Sequence, residues 1–170
     1  MKSGTAFNLT YCANPVSVPS RFSLYTGKYG GQYSIRENLC TGATGEAVRP
    51  VLAENGMGNV FVRGGYEAVY AGKVHLPFAG KDTDSKFTAP DAYGFQEYLT
   101  KDEREGLGKV SAEFIRNRKP GDKPFLYVAN FLNPHDICRG GKHEYFGRDK
   151  RQTNKKPEIV ANGEDDARAC

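Results

Sequence analysis

The chain has 170 residues, which is the length of about one ordinary domain. Its 24 basic and 20 acidic residues leave a formal net charge of +4, too small to indicate a nucleic-acid partner without a clustered basic stripe. Ten tyrosines and ten phenylalanines exclude a wholly disordered chain, and no apolar run approaches the roughly 18 residues that span a bilayer. Twenty glycines and nine prolines indicate more loop than one compact core needs. The chain is therefore either a loop-rich functional face or part of something larger.

The cysteines show no C-x-x-C spacing, which argues against a structural zinc site. We expect each to be a buried or free thiol, because four in 170 residues do not make a disulfide scaffold. The four are Cys12, Cys40, Cys138 and Cys170. The N-terminal residues lack the apolar stretch of a secretory signal, and we interpret Met1 as an internal methionine.

The first half of the chain alternates loops with short periodic segments. Residues 1–16 are predicted to be loop, and a short helix is predicted over 19–26, with Ser17 or Val18 just before it. Gly27 ends that helix, and the polar residues 28–47 are predicted to form a surface loop.

A helical run interrupted by glycines is predicted from residue 48 to residue 61, followed by a turn at Gly64 and Gly65. The β-prone residues 66–71 then predict a strand, which ends at the polar segment 72–77. Residues 79–95 are predicted to be loop.

The clearest helix signal follows the capping box at 100–103 and stops at Pro120-Gly121. Its apolar face is predicted to consist of Leu107, Val110, Phe114 and Ile115. The almost continuously apolar run 124–132 predicts a buried parallel strand that ends at Asn133-Pro134-His135-Asp136. The residues beyond 140 are charged and without periodicity, which is typical of a loop or of a segment without its packing partner.

Polar residues follow both predicted strands, and in open α/β sheets ligands collect at the carboxyl ends of strands. Lys73 and His75 follow the carboxyl end of the first predicted strand, called its exit below, and His135 follows that of the second. The hydroxyls and the arginine of residues 17–27 lie at a loop-to-helix entry, which is either a natural anion site or simply a capped surface helix.

Residues 17–27, SVPSRFSLYTG, resemble the type I sulfatase signature C/S-x-P-S-R-x-x-L-x-T-G, and residues 11–16 resemble the segment before it. Residues 64–76 are similar to the glycine–tyrosine turn and the G-K-x-H-L motif of the family. Residues 123–136 look like its strand that ends in Pro-His. The three motifs occur in order over residues 7–137.

This resemblance implies an α/β fold of the alkaline-phosphatase-like sulfatase type, with a mixed, mostly parallel sheet flanked by helices. Residues 1–140 would be the central part of a sulfatase catalytic domain, and residues 141–170 a polar loop or tail of the same domain. The chain would then be a fragment truncated on both sides, with little turnover and poor calcium binding on its own.

The resemblance also implies a mechanism. Ser17 would be oxidised to formylglycine, whose hydrated form attacks sulfur with one hydroxyl and expels sulfate with the other. Unmodified serine is a weak nucleophile at neutral pH, which is why the family needs the modification. A serine at this place implies maturation by a radical-type sulfatase-maturing enzyme that reads the context supplied by Pro19 and Arg21.

By the same resemblance, four further residues would share the reaction. Arg21 would hold the formylglycine oxygens, and Lys73 would contact the sulfate and the nucleophile. His75 would hydrogen-bond the geminal diol from an extended strand exit, and His135 would face the bridging ester oxygen. Positive side chains of this kind stabilise the charge that develops on the sulfuryl group.

The family binds one Ca²⁺, and Ser17, as formylglycine, would be one of its ligands. The expected aspartate and asparagine ligands are absent from the chain, since they belong to strands that would precede Met1 and follow His135. Asp165 and Asp166 are not assigned to the metal, because no strand precedes them.

The function expected from the resemblance is sulfuric ester hydrolysis of a sulfated small molecule or glycan, at a periplasmic or extracellular site. A phosphoester or phosphonate hydrolase of the same superfamily is the alternative among enzymes, because the fold does not fix the substrate. An inactive relic or a binding module is the alternative outside catalysis. No nucleic-acid partner and no membrane span are expected.

Overall fold

The computed structural model describes residues 3–78 and 90–135. Its helices are α1 (Ser17–Thr26), α2 (Gly45–Asn55), α3 (Met57–Arg63) and α4 (Glu105–Arg116), and its strands are β1 (Glu67–Gly72), β2 (Glu97–Tyr98) and β3 (Phe125–Asn130). Short 3-10 helices cover Gly30–Tyr33 and Asp91–Tyr93. Over these ranges no helix has the length and apolar character needed to cross a membrane. The division at residue 140 falls outside the described residues and stays a prediction.

Within the described ranges the strands form one parallel sheet in the order β2-β1-β3, so the predicted α/β class is confirmed. Strand β1 is central, and its residues from Ala68 to Ala71 are buried completely. Helices α3 and α4 both contact it. Because parallel strands align their carboxyl ends, the exits of β1 and β3 lie side by side, with Gly72 opposite Asn130.

Strand β3 is parallel as predicted, but the expectation that it is buried was wrong. Its residues are half-exposed, and Phe125 at its start is 38% exposed. The apolar sequence is typical of a strand covered on both sides. In the described part of the chain, β3 pairs with β1 along one edge and lies at the border of the sheet.

Helix α1 begins at Ser17, two residues before the predicted start, and so includes Ser17 in its first turn. Pro19 is tolerated there, because the first N–H groups of a helix have no intrahelical acceptor. The predicted end is confirmed: Gly27 is left-handed and its N–H donates to the Ser23 carbonyl at 2.9 Å.

The prediction of a surface loop over 28–47 was wrong for much of that segment. Ile35 and Cys40 are almost completely buried, a 3-10 helix covers Gly30–Tyr33, and α2 already begins at Gly45. The segment covers α1, because apolar side chains of both contribute to one core. Cys12 is exposed as a free thiol and Cys40 is buried, whereas Cys138 and Cys170 lie outside the described residues.

The interrupted helical run is resolved as two helices, α2 and α3, that meet at Gly56. The turn at Gly64 and Gly65 and the strand after it are confirmed, with β1 beginning one residue later than predicted. Of the predicted loop 79–95, residues 79–89 lie outside the described residues. The remainder contains a 3-10 helix and the buried side chains of Tyr93 and Phe95.

The capping box predicted at 100–103 was wrong, because α4 begins only at Glu105. The Thr100 hydroxyl accepts a hydrogen bond from the Asp102 N–H at 3.0 Å, and the Asp102 carboxylate accepts one from the Gly106 N–H at 2.7 Å. Asp102 therefore satisfies a donor of the first turn. Ile115 also departs from the predicted face, since it is 54% exposed whereas Leu107 is buried.

The packing of α3 requires a glycine at position 58. A Cβ there would lie 2.4 Å from the carbonyl carbon of Gly94 and 2.6 Å from its oxygen, both backbone atoms. We expect Gly58→Ala to lower the free energy of unfolding by about 1–3 kcal/mol. The matched control is Gly108→Ala on the exposed side of α4, where a Cβ meets no atom within 4 Å.

Urea denaturation of both variants checks this expectation. Gly108→Ala should be neutral or more stable by up to about 1 kcal/mol, because alanine favours helix. Equal stabilities of the two variants would contradict the close approach of α3 to Gly94.

Candidate functional site at the end of strand β1

The start of α1 and the end of β1 meet at a hydrogen bond between two motifs that are far apart in sequence. The Ser17 Oγ lies 2.9 Å from the His75 Nδ1, although the two residues are separated by 58 positions. Both side chains are half-buried. The resemblance predicted this pairing, and the structure brings the two residues together.

The route of the backbone to His75 differs from the predicted extended exit. Gly72 has φ 83° and His75 has φ 39°, so both adopt left-handed conformations. For a histidine this conformation costs about 1 kcal/mol. The chain therefore turns after β1, and the His75 side chain reaches the Ser17 hydroxyl at the N-terminus of α1.

Arg21 lies one helical turn after Ser17 and joins α1 to the exit of β1. Its Nε donates a hydrogen bond to the Val74 carbonyl at 3.0 Å, and its Nη2 donates to the Lys73 carbonyl at 2.9 Å. A guanidinium suits these contacts, because its donors are fixed in one plane and it remains charged. The predicted contact of Arg21 with the oxygens of a modified residue 17 stays a prediction.

Neighbouring strands hold the same exit through its other polar groups. The Tyr98 hydroxyl donates to the Gly72 carbonyl at 2.8 Å, and the Gly72 N–H donates to the Thr100 carbonyl at 2.8 Å. The Lys73 N–H donates to the Asn130 carbonyl at the end of β3 at 2.9 Å. Hydrogen bonds from the β2 side and from the β3 side of β1 therefore hold the backbone at Gly72 and Lys73.

Two asparagines at the N-terminus of α1 were missed by the sequence reasoning. The Asn38 side chain accepts a hydrogen bond from the Val18 N–H at 3.0 Å, and the Asn14 side chain accepts one from the Val16 N–H at 2.9 Å. Asn38 satisfies a first-turn N–H from 20 residues away, so no local capping pattern in the sequence could predict this contact. Asn14 immediately precedes Pro15 and is part of the flank of the signature.

The electrostatics of the site favour a neutral His75. Burial lowers the pKa of His75 to about 4, and electrostatic interactions with Lys73, Arg21 and His135 lower it in the same direction. The imidazole is therefore uncharged at neutral pH, and its tautomer determines whether Nδ1 accepts a hydrogen bond from the Ser17 hydroxyl or donates one to it. Lys73, Arg21 and His135 therefore all act electrostatically on His75, which is itself hydrogen-bonded to Ser17.

The described residues around Ser17 do not by themselves fit a calcium ion. Calcium takes about six to eight oxygen ligands, whereas the Ser17 hydroxyl contacts a histidine nitrogen, and Lys73 and Arg21 place positive charge near that histidine. Over residues 3–78 and 90–135, no group of three or more His, Cys, Asp or Glu residues could hold a metal. Asp165 and Asp166 lie outside the described residues.

The sequence model of the sulfatase family matches residues 1–166, and the chain belongs to this family. It is 32% identical over 143 residues to the Delta 4,5-hexuronate-2-O-sulfatase of Bacteroides thetaiotaomicron, an alignment that covers 79% of this chain and 28% of the relative. It is 27% identical over 164 residues to the uncharacterized sulfatase YidJ of Escherichia coli, covering 78% of this chain and 31% of that protein. The chain thus spans less than a third of the length of either relative. The family has the alkaline-phosphatase-like α/β fold, of which the described sheet and helices are a part.

The contacts of Arg21 predict that replacing it by lysine lowers the stability of the fold. Arg21→Lys keeps the charge but removes the fork that binds two carbonyls at once. We expect the free energy of unfolding to fall by about 1–3 kcal/mol, as for other hydrogen bonds to charged groups.

Chemical denaturation measures the difference, and Arg116→Lys at an exposed position of α4 is the matched control. The control should change stability by less than about 0.5 kcal/mol. An equally small effect of Arg21→Lys would show that the guanidinium does not hold the strand exit.

Proposed function

We propose that the protein carrying this chain is a sulfuric ester hydrolase whose nucleophile is derived from Ser17 by oxidation to formylglycine. The observation that carries the proposal is the 2.9 Å hydrogen bond between the Ser17 Oγ and the His75 Nδ1, which joins two family motifs at the exit of a parallel strand. Membership in the sulfatase family supports the reaction class. The name of one relative, a hexuronate-2-O-sulfatase, favours a sulfated glycan or a related small ester as the substrate.

Formylglycine, when hydrated, would supply two hydroxyls on one carbon, one to attack sulfur and one to release sulfate. The surroundings of the Ser17 Oγ suit such a group. Neutral His75 would hold one hydroxyl through Nδ1, and the first turn of α1 would add the partial positive charge of its N–H groups. Fixed donors of this kind cost little reorganisation when charge develops during the reaction.

The remaining side chains would serve the substrate. The Lys73 ammonium would contact the sulfate, since its peptide is held at the exit by Arg21 and by Asn130. His135 would give a proton to the bridging oxygen of the ester as the alcohol leaves. The Lys73 and Arg21 cations beside a neutral imidazole would favour binding of an anionic ester over its neutral alcohol product.

The proposal includes three requirements that lie beyond the described residues. Calcium would bind the oxygens of the modified residue 17, with its other ligands supplied from outside residues 3–78 and 90–135. The serine at position 17 would be oxidised by a radical-type maturing enzyme. The whole protein would act in the periplasm or outside the cell, where sulfated glycans are met.

Mass spectrometry combined with one substitution tests this function. The peptide that contains Ser17, taken from the whole protein in its native host, should have two hydrogens fewer than the serine form. Ser17→Ala should reduce hydrolysis of an aryl sulfate by about three orders of magnitude or more, as the removal of other nucleophiles does. Ser23→Ala, in the same helix, is the matched control and should retain activity.

The same assay separates the alternatives. Faster hydrolysis of the phosphate ester of the same phenol would identify a phosphoester hydrolase and contradict the proposal. Unmodified serine together with no turnover of either ester would indicate a relic or a binding module.

A further inference from the structure

A buried tyrosine, Tyr70, lies behind the Arg21 contacts, on β1 between the glycine–tyrosine turn and the G-K-x-H-L residues, and no role was predicted for it. The Tyr70 hydroxyl accepts a hydrogen bond from the Arg21 Nη2 at 2.8 Å and donates one to the Lys73 carbonyl at 2.7 Å. The same Nη2 donates to that carbonyl at 2.9 Å. The three groups therefore form a closed triangle in which each member is hydrogen-bonded to the other two.

The position of the Tyr70 hydroxyl is itself determined by the surrounding core. The residue is completely buried, and its ring packs edge-on against Phe95 with the ring centroids 4.9 Å apart. Burial raises the pKa of the phenol, so it remains protonated and able to donate. A hydroxyl fixed in this way allows the guanidinium and the Lys73 peptide a single relative arrangement.

A second tyrosine extends this network to the neighbouring strand. The Asn130 side-chain amide donates to the Tyr25 hydroxyl at 3.0 Å, and that hydroxyl donates to Tyr70 at 3.5 Å. The Arg21 guanidinium also lies over the Tyr25 ring, 5.5 Å from its centroid. Since the Asn130 carbonyl binds the Lys73 N–H, both ends of the network meet at the Lys73 peptide.

We propose that Tyr70 is a positioning residue for the reaction at residue 17, because its hydroxyl locks Arg21 onto the Lys73 peptide and so orients Lys73 and His75 towards the nucleophile. The inference rests on the proposed function. Tyr70 acts through Arg21 and the strand exit, since its buried ring lies within the core behind them.

The test variant is Tyr70→Phe, which keeps the buried ring and removes only the hydroxyl. The direct bond from Arg21 to the Lys73 carbonyl remains, so the fold should be preserved. We expect kcat for an aryl sulfate to fall roughly tenfold with KM nearly unchanged, because a small displacement of the reacting groups costs rate more than binding.

The experiment uses the whole protein after maturation, with kcat divided by the formylglycine fraction that mass spectrometry finds in each variant. Tyr127→Phe is the matched control, because its hydroxyl is 2.7 Å from the Ser111 hydroxyl between β3 and α4, away from Arg21. Both variants lose one phenol hydroxyl. Only Tyr70→Phe should lose turnover, while the control should stay within about twofold of the wild type.

A double-mutant cycle with Arg21→Lys separates positioning from general loosening of the core. If Tyr70 acts through Arg21, the double variant should be no slower than Arg21→Lys alone. Additive losses in kcat, or a Tyr70→Phe enzyme as fast as the control, would overturn the inference.

The rates of the wild type with the two esters distinguish a failure of the proposed function from a failure of the inference about Tyr70. A wild type that hydrolyses only the phosphate ester would overturn the sulfatase assignment alone, and the cycle would then be measured with that ester. A wild type that hydrolyses neither ester would overturn both.

Discussion

The guanidinium of Arg21 joins the two halves of the site, and the positions of the other groups depend on it. Arg21 projects from α1 one turn after Ser17, and its donors bind the carbonyls of Lys73 and Val74. These two carbonyls belong to the two residues that immediately precede His75. The contact that satisfies buried backbone groups therefore also sets the distance between Ser17 and His75, so stability and the geometry of the site are coupled.

The strand exit can accept this arrangement only because Gly72 comes first. A Cβ at Gly72 would lie 2.2 Å from the Asn130 carbonyl oxygen and 2.9 Å from a methyl group of Leu107. With its left-handed φ of 83°, Gly72 lets β1 turn while it remains against β3 and α4. The turn leaves the Lys73 backbone between the end of β3 and the α1 helix, where both can bind it.

Hydrogen bonding to the backbone explains how the charged Arg21 side chain is accommodated in a partly buried place. No buried side-chain nitrogen or oxygen in the described part of the chain is without a hydrogen-bond partner. Arg21 donates hydrogen bonds to carbonyls, whereas the pKa of His75 is lowered, so that this side chain is neutral and adds no further positive charge. The cluster is thus stable without an anion and is electrostatically suited to one.

Local patterns predicted those features that depend on neighbours in sequence. The end of α1 at Gly27 and the two longer strands follow from short motifs and periodicity. The candidate site residues came instead from the family resemblance. The two-residue β2 was missed because it is too short for any periodic signal. The start of α4 was misplaced, because the Asp102 side chain rather than Thr100 satisfies its first turn.

The supporting contacts of the site could not be predicted from one sequence. Asn38, Tyr70, Tyr98 and Asn130 act across 20 or more positions, and nothing in their local sequence distinguishes them from ordinary core or loop residues. The resemblance supplied the residues that face residue 17, but not the groups that hold those residues in place. Only the fold, which brings the end of β1 against α1, reveals them.

A crystal structure of the whole protein tests the central claim most directly, through the partners of the Arg21 guanidinium. The account predicts that Arg21 donates to the carbonyls of residues 73 and 74 at about 3 Å, with an oxygen of residue 17 at hydrogen-bond distance from His75 Nδ1. An Arg21 turned away from both carbonyls, with Ser17 and His75 still in contact, would contradict the claim that this guanidinium sets the geometry of the site.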